Sequence, residues 1–302
     1  LKNRGLDFFY PTAGTTGTRT FAMTTPLIYQ NGGALYDKTA GDTTLDSEAS
    51  INGFTTLTEL FTIYDIPQEI TSFYQHFRNG DIPIGVSDYF MYSTLITAAP
   101  DIENSWQISL VPGVKDEDGN IQRQTAGAAQ SSMVLKNSRK AKVACTEGYG
   151  NSQNGEMDRQ EAAWEYLKWW MDTDTQVEFG TTLQTTYGES YIWNSANTEA
   201  FSKLPWKSRD KQIILEQMDN IQETPRIPGT YMLERELSNA YVAVVTNGGI
   251  LRTELDSAIK RIDRETERKL KEFGYLDSEG NVIKEYTVPD VDYVKDIISK
   301  LD

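Results

Sequence analysis

The pattern of apolar and polar positions is most informative over residues 72–95. The aromatic residues of 73–77 recur at helical spacing, and Asn79-Gly80 supplies the stop that ends a helix. The apolar run that follows is too short for a helix, so it predicts an interior strand over residues 82–87, covered on both faces of a mostly parallel sheet. Ser87-Asp88 then offers an N-cap for another helix.

Aromatic and acidic side chains follow directly on this predicted strand. Asp88, Tyr89 and Phe90 would lie at its carboxyl end, where open α/β sheets bind ligands. Flat aromatic faces beside hydrogen-bonding groups suit a sugar ring, which is apolar on its C–H face and polar at its rim. The same residues are equally compatible with a simple cover over the strand end.

Other segments give clear local patterns. A helix that Asp46 would cap carries a stripe of apolar residues toward a core. Alternation predicts strands at residues 106–110 and 132–135, and the sequence KDEDGN (115–120) predicts a hairpin turn, since it lacks the spacing of a calcium loop. Apolar residues at helical spacing predict a core helix over 162–170, followed by a short helix to Phe179. The charged face of the last long helix, 251–273, indicates a solvated surface.

Composition excludes several classes of function. The net charge of −15 disfavours nucleic acid and anionic membrane surfaces as partners, and no apolar run is long enough to cross a bilayer. Cys145 and His76 are the only residues of their types, which leaves no zinc cluster and no Cys–His catalytic pair. The sequence therefore predicts no cofactor, no metal and no catalytic residue.

Six stretches, in order, resemble one family. They are PLIYQNGGALYD (26–37), the stretch 72–95 with its F-x-x-G and apolar strand, ISLVPG (108–113), AAWEYLKWWMDTDTQVEFG (162–180), TPRIPGTYMLERELSNAY (224–241) and the helix 251–273. The chain resembles the family 1 extracellular solute-binding proteins, the carbohydrate receptors of ABC importers, of the maltose-binding type. The resemblance implies an α/β, type II periplasmic-binding-protein-like fold, with a three-layer α/β/α lobe and an inserted partial second lobe.

The resemblance also implies a domain organisation. Residues 1–110 and 191–302 would form the second, C-terminal lobe, and residues 113–190 would be an inserted part of the first lobe. The chain would cross between them at 110–114 and 186–194, as extended segments close together. The early strands of the first lobe have no match here, and the chain begins at Leu1 without a signal peptide or lipobox. We therefore expect the C-terminal portion of a longer exported lipoprotein.

Site residues carry over unevenly from the family. Phe90 matches the position of a sugar-stacking tryptophan, with Asp88 and Tyr89 beside it. The second stacking position falls near Glu234, which is not aromatic, so Tyr231 and Arg235 are the predicted substitutes. The aromatic pair of the maltose type falls on residues 22 and 23, where only the preceding Phe21 is aromatic. We expect a concave surface formed by these residues, namely Asp88, Tyr89, Phe90, Tyr231, Arg235 and Phe21.

The resemblance implies a binding protein without chemistry of its own. It would bind a small carbohydrate outside the cell, by lobe closure, and deliver it to the membrane permease of an ABC importer. Two alternatives remain open. A glycosidase would use paired carboxylates such as Asp88 and Glu234, about 5–5.5 Å apart for retention or about 6.5–9.5 Å for inversion. A structural domain of a cell-surface protein would bind no sugar.

Overall fold

A computed structural model describes residues 1–12, 17–127, 130–136, 142–146, 153–289 and 291–300. The chain divides into two compact units, each assembled from separate stretches of sequence. Unit 1 comprises Leu1–Leu95, Ser109–Gly127 and Asp219–Asp302, and unit 2 comprises Ile96–Ile108 and Ala128–Met218.

Helices dominate the described residues. They are α1 (Gly17–Gln30), α2 (Glu48–Thr62), α3 (Phe73–Asn79), α4 (Tyr89–Ala98), α5 (Arg159–Met171), α6 (Thr173–Tyr187), α7 (Thr198–Lys203), α8 (Ser208–Met218), α9 (Thr230–Val245), α10 (Leu251–Glu272) and α11 (Val291–Ser299). The strands are β1 (Phe8–Phe9), β2 (Ile84–Gly85), β3 (Val114–Lys115), β4 (Ile121–Gln122), β5 (Lys142–Ala144) and β6 (Glu156–Asp158). Among the described residues they form three two-stranded sheets: β1 with β2 in parallel, and β3 with β4 and β5 with β6 antiparallel.

The core of unit 1 lies among α1, α2, α9 and α10. Ile28, Phe54 and Leu237 are each at most 1% exposed there. Helices α1 and α2 are in tight contact at Gly53, where a Cβ atom would lie 2.7 Å from the backbone nitrogen and Cα of Ile28. Only glycine fits this crossing without a shift of one helix, so residue 53 sets the separation of the pair.

The predicted interior strand over 82–87 is wrong in its extent and its burial. Only Ile84–Gly85 pairs, with β1 as its one strand neighbour among the described residues, and Ile84 is 54% exposed. Pro83 has no N–H to give to a sheet, which shortens the paired run. Gly85 packs under the ring of Phe73, which stacks on Phe9 at 4.5 Å between centroids. The parallel pairing itself agrees with the α/β class.

Local signals around this strand are confirmed. Helix α3 ends at Asn79, and Gly80 takes the left-handed conformation with φ 86°. Helix α4 begins directly after Asp88 and ends at Ala98, before Pro100. One cap differs from the prediction: Ser47, and not Asp46, caps α2, since its hydroxyl accepts a hydrogen bond from the backbone N–H of Ser50.

Two other predicted strands are absent from the described structure. Residues 106–110 and 132–135 belong to no helix or strand. Alternating apolar residues define the faces of a strand, but pairing also needs a neighbouring strand, which sequence alternation cannot supply. The hairpin predicted at 115–120 is confirmed, because β3 and β4 flank a turn in which Asp116 accepts a hydrogen bond from the N–H of Asn120, at 2.8 Å.

Unit 2 is built around α5, α6 and an aromatic cluster. Trp193 lies edge-on to both Phe179 and Trp170, with centroids 4.9 Å and 6.0 Å away. The buried side chain of Gln176 joins the cluster together, since its oxygen accepts from the indole N–H of Trp193 at 3.1 Å and its amide donates to the carbonyl of Trp170. Helix α6 runs to Tyr187, beyond the predicted end at Phe179. None of the residues of α5 is buried, although its sequence predicts a core helix.

The two units divide the chain at 95/96, 108/109, 127/128 and 218/219, and the domain boundaries expected at 110–113 and 190–191 remain predictions. Residues 109–127 belong to unit 1, because the buried amide of Gln30 donates to the carbonyls of Pro112 and Gln124, at 3.3 and 2.9 Å. Residues 191–218 belong to unit 2, because Trp193 packs in its aromatic cluster and accepts a hydrogen bond from Trp206. The assignment of either unit to a lobe remains a prediction.

Candidate functional site

The first turn of α4 presents one exposed aromatic ring. Phe90 is 74% exposed, which is unusual for a phenylalanine in an ordered helix. The side chain of Asp88 accepts a hydrogen bond from the N–H of Met91 at 3.3 Å and so fixes the helix start. Tyr89 turns inward, and burial, followed by the neighbouring Tyr92, raises the pKa of its phenol above the usual range. Of the two aromatic candidates here, Phe90 is the one open to a ligand.

The first turn of α9 presents the second exposed ring. Gly229 caps the helix with φ 99° and lies so close to α10 that an added Cβ atom would be 3.2 Å from the Cα of Thr266. Tyr231 is half exposed, and its hydroxyl donates to the carboxylate of Glu265. Arg268 holds the same carboxylate from the other side through two N–H groups, at 2.6 and 2.8 Å. The hydrogen bonds from Arg268 and then Tyr231 lower the pKa of Glu265 to about 2.

Arg235, one turn further along α9, is anchored by a buried carboxylate. Its Nε donates to Glu236 at 3.1 Å, and Arg261 on α10 donates to the other oxygen at 2.6 Å. Burial alone would raise the pKa of Glu236, but the hydrogen bonds from Arg261, Arg235 and Asn239 hold it below its ordinary value. The Arg235 side chain remains 59% exposed, so part of its guanidinium faces solvent.

Phe21 does not present a ring face in this structure. It is 3% exposed in the core of unit 1, and the guanidinium of Arg226 lies 5.9 Å from its ring centroid. Arg226 is in turn paired with Glu234. A sugar could stack on Phe21 only if Arg226 moved away, and Glu234, the carboxylate considered for a glycosidase, is already engaged by a cation.

The six predicted site residues all lie in unit 1, and apart from the buried Phe21 they form two groups with different surroundings. Asp88, Tyr89 and Phe90 share the start of α4, while Tyr231 and Arg235 share the start of α9 and contact α10. Their convergence on one concave surface remains a prediction. The carboxylates of Glu236 on α9 and Glu265 on α10 position the α9 group. The sequence pattern does not indicate either role, and Glu265 lies on the charged face of α10 that predicts a solvated surface.

The described part of the chain holds neither a cluster of metal-ligating side chains nor a helix suited to a bilayer. Within the described residues, no three His, Cys, Asp or Glu side chains lie together in a way that could hold a metal ion. No helix among those same residues has the length and apolar character needed to cross a membrane.

Comparison with known proteins relates the chain to others through structure alone. No family model matches the sequence, and no curated protein matches it. Solved structures do match. A cyclic α-maltosyl-1,6-maltose binding protein from Arthrobacter globiformis superposes with a TM-score of 0.60 at 14% identity, over 87% of this chain and 60% of that one.

Two further structures are similar. An ABC transporter solute-binding protein from Thermotoga lettingae, bound with α-D-tagatose, gives a TM-score of 0.56 at 13% identity, over 88% of this chain and 61% of that chain. The maltose-binding protein MalE from Listeria monocytogenes, in complex with maltose, gives a TM-score of 0.54 at 16% identity, over 82% of this chain and 58% of that chain. This chain therefore spans about three fifths of the length of these proteins.

The likeness confirms the fold class expected from the sequence, α/β of the type II periplasmic-binding-protein kind. At such low sequence identity, a shared architecture shows the fold but does not identify the ligand. The chain has the fold of the solute-binding proteins that serve ABC transporters.

Proposed function

We propose that this protein binds a carbohydrate and acts as the receptor component of an ABC importer. The observation that carries the proposal is the exposed ring of Phe90 at the start of α4, in a chain with the fold of sugar-binding receptors. A bare aromatic face next to the carboxylate of Asp88 suits the C–H face and the hydroxyl rim of a sugar.

The α9 group would complete the site. Tyr231 is held in place by Glu265, and Arg235 is held in place by the buried Glu236, so neither side chain would have to be ordered when a ligand arrives. Positioning in advance lowers the entropy cost of binding. Asp88 and Arg235 would bond sugar hydroxyls, and bonds to charged groups are stronger than those between neutral groups. The exposed ring of Tyr231 would face the second side of the sugar.

Delivery of the solute would depend on lobe closure around it. A solute held by both lobes of the complete receptor would favour the closed form over the open form, and a membrane permease would recognise the closed form. This role places the protein outside the cytoplasm, where an importer collects its solutes. The ligand would be a small carbohydrate, held differently from maltose in its own receptors, because Phe21 is buried.

A thermal-shift screen against mono- and oligosaccharides, including tagatose, maltose and maltotetraose, tests the proposal. A ligand at 100 times its dissociation constant is expected to stabilise the folded protein by about 2.7 kcal/mol. A panel in which no sugar raises the melting temperature would contradict carbohydrate binding. Turnover of an aryl glycoside would point instead to a hydrolase, which needs two suitably spaced carboxylates.

Replacement of Phe90 by alanine is expected to weaken binding of the sugar found in that screen by tenfold or more. The lost stacking is worth about 1 kcal/mol beyond the area that the ring buries, and tenfold corresponds to about 1.4 kcal/mol. Isothermal calorimetry measures the change.

Phe273→Ala serves as the matched control, since Phe273 is also an exposed phenylalanine of unit 1, at the end of α10. It should bind the sugar as the parent protein does. Equal affinities of the Phe90 and Phe273 variants would remove Phe90 from the site, while binding of sugar by the parent protein would still support the receptor role.

A further inference from the structure

Two arginines, one on α9 and one on α10, share a single buried carboxylate. The side chain of Glu236 is 3% exposed. One of its oxygens accepts a hydrogen bond from Nε of Arg235 at 3.1 Å, and the other accepts from Nε of Arg261 at 2.6 Å. Within the described residues, neither arginine forms an ion pair with a second carboxylate. Two positive charges are therefore balanced by one negative charge, and one positive charge is left over.

The neighbouring carboxylates of α9 and α10 are already paired with other arginines. Glu234 forms an ion pair with Arg226, and Glu265 forms one with Arg268. Neither carboxylate can offset the remaining positive charge without losing its own partner. In a chain with a net charge of −15, a local excess of positive charge attracts anions from solution, which the rest of the surface repels.

The two guanidinium groups have hydrogen-bond donors left for a ligand. Each arginine uses its Nε for Glu236, and the side chains of Arg235 and Arg261 are 59% and 42% exposed. The Nη2 of Arg235 donates to the sulfur of Met232 at 2.9 Å, and a thioether is a weak acceptor. An oxygen of a carboxylate or a phosphate would be a stronger acceptor, and the planar guanidinium matches either group with two parallel hydrogen bonds.

We propose that the arginine pair of Arg235 and Arg261 binds the anionic group of an acidic sugar, the carboxylate of a uronate or the phosphate of a sugar phosphate. The inference rests on the proposed carbohydrate-binding function and names the class of sugar. Glu236 would hold both guanidinium groups in place before the ligand arrives, which lowers the entropy cost of binding. Arg235 would take the charged group in place of a hydroxyl. Asp88 in the α4 group, which as a carboxylate only accepts hydrogen bonds, would bond the neutral hydroxyls of the same ligand.

Calorimetry with matched sugars tests the proposal: glucuronate and glucose-6-phosphate against glucose, and galacturonate against galactose. At least one acidic sugar should bind about tenfold more tightly than its neutral counterpart, because hydrogen bonds between charged groups are stronger than those to a neutral hydroxyl. This preference should shrink at high salt, since both arginines are partly exposed. Neutral sugars that bind as tightly as the acidic ones would overturn this inference and leave the receptor role standing. Binding of no sugar, neutral or acidic, would overturn both.

Lysine variants separate recognition of the anion from stability of the fold. Arg261→Lys keeps a positive charge beside Glu236 but lacks the planar fork, so the ratio of acidic to neutral affinity should fall by about tenfold. Arg235→Lys repeats the test at the more exposed partner, and thermal melting verifies that each variant is folded. Arg252→Lys is the matched control, since Arg252 is an exposed arginine of α10 paired with Asp256, and it should keep the full preference. An unchanged ratio in both folded variants would assign the arginine pair to the packing of α9 on α10 alone.

Discussion

Gly53→Ala is expected to lower the free energy of unfolding by about 3 kcal/mol. A Cβ atom at this position would lie 2.7 Å from backbone atoms of Ile28 and 2.8 Å from the carbonyl carbon of Leu27. Backbone cannot rotate away as a side chain can, so α1 and α2 would have to separate, and overpacking of this kind costs 1–3 kcal/mol or more. Urea denaturation followed by circular dichroism measures the loss.

The sign of this effect is diagnostic. Elsewhere in a helix, alanine in place of glycine is favourable by about 0.5–1 kcal/mol. The neighbouring Asn52→Ala provides the control, since Asn52 is exposed on the same turn of α2, and it should be neutral or slightly stabilising. A Gly53→Ala protein as stable as the parent would mean that the two helices cross less closely than described.

Glu236→Gln is expected to lower the free energy of unfolding by about 2 kcal/mol at neutral pH. The substitution keeps the shape of a buried side chain but removes the charge that binds Arg261 at 2.6 Å and Arg235 at 3.1 Å, and hydrogen bonds to charged groups contribute about 1.5–3 kcal/mol. Both arginines are partly exposed and can be rehydrated, so the loss should stay below that of a fully buried pair. Denaturation midpoints at pH 7 give the value.

At acid pH the difference in stability between the parent protein and the Glu236→Gln variant should disappear. The pKa of Glu236 is lower in the folded state than its ordinary value, so its stabilisation is complete above the unfolded pKa of about 4.3 and is lost as the pH falls through the folded pKa. The two stability curves should therefore converge below about pH 4.

Glu267→Gln is the control for this pH profile, because its ion pair with Lys271 is exposed and such pairs contribute only about 0.3–0.5 kcal/mol. Parallel pH profiles for the parent and the Glu236 variant would show that the carboxylate is not selectively stabilised as an anion.

The predictions from sequence were correct where a local structure depends on residues only a few positions apart. Asn79-Gly80 ended α3, Asp88 preceded α4, and the turn at 115–120 joined two strands, since each signal acts on its own backbone. The strands expected at 82–87, 106–110 and 132–135 failed, wholly or in part, because a strand also requires a partner from a distant part of the chain.

The same distinction between local and long-range determinants applies to the candidate site. Asp88 predicts the start of α4 and with it the place of Phe90 on the first turn of that helix. The burial of Phe21 beneath Arg226, and the bond from Tyr231 to Glu265, depend on how α9 meets its neighbours, and no pattern within a single helix specifies that register. The division into units also depends on long-range contacts, such as the bonds of Gln30 to residues 112 and 124.

The discontinuous make-up of unit 1 has a consequence for the order in which the protein is made. Helices α1 and α2 pack against α9, which begins about 170 residues after α2 ends. At typical rates of synthesis the first two helices wait roughly 10–30 seconds for that partner. Unit 2, complete by Met218, has all its residues before α9 appears. The apolar faces of α1 and α2 thus need protection, for example by chaperones, until α9 has been synthesised.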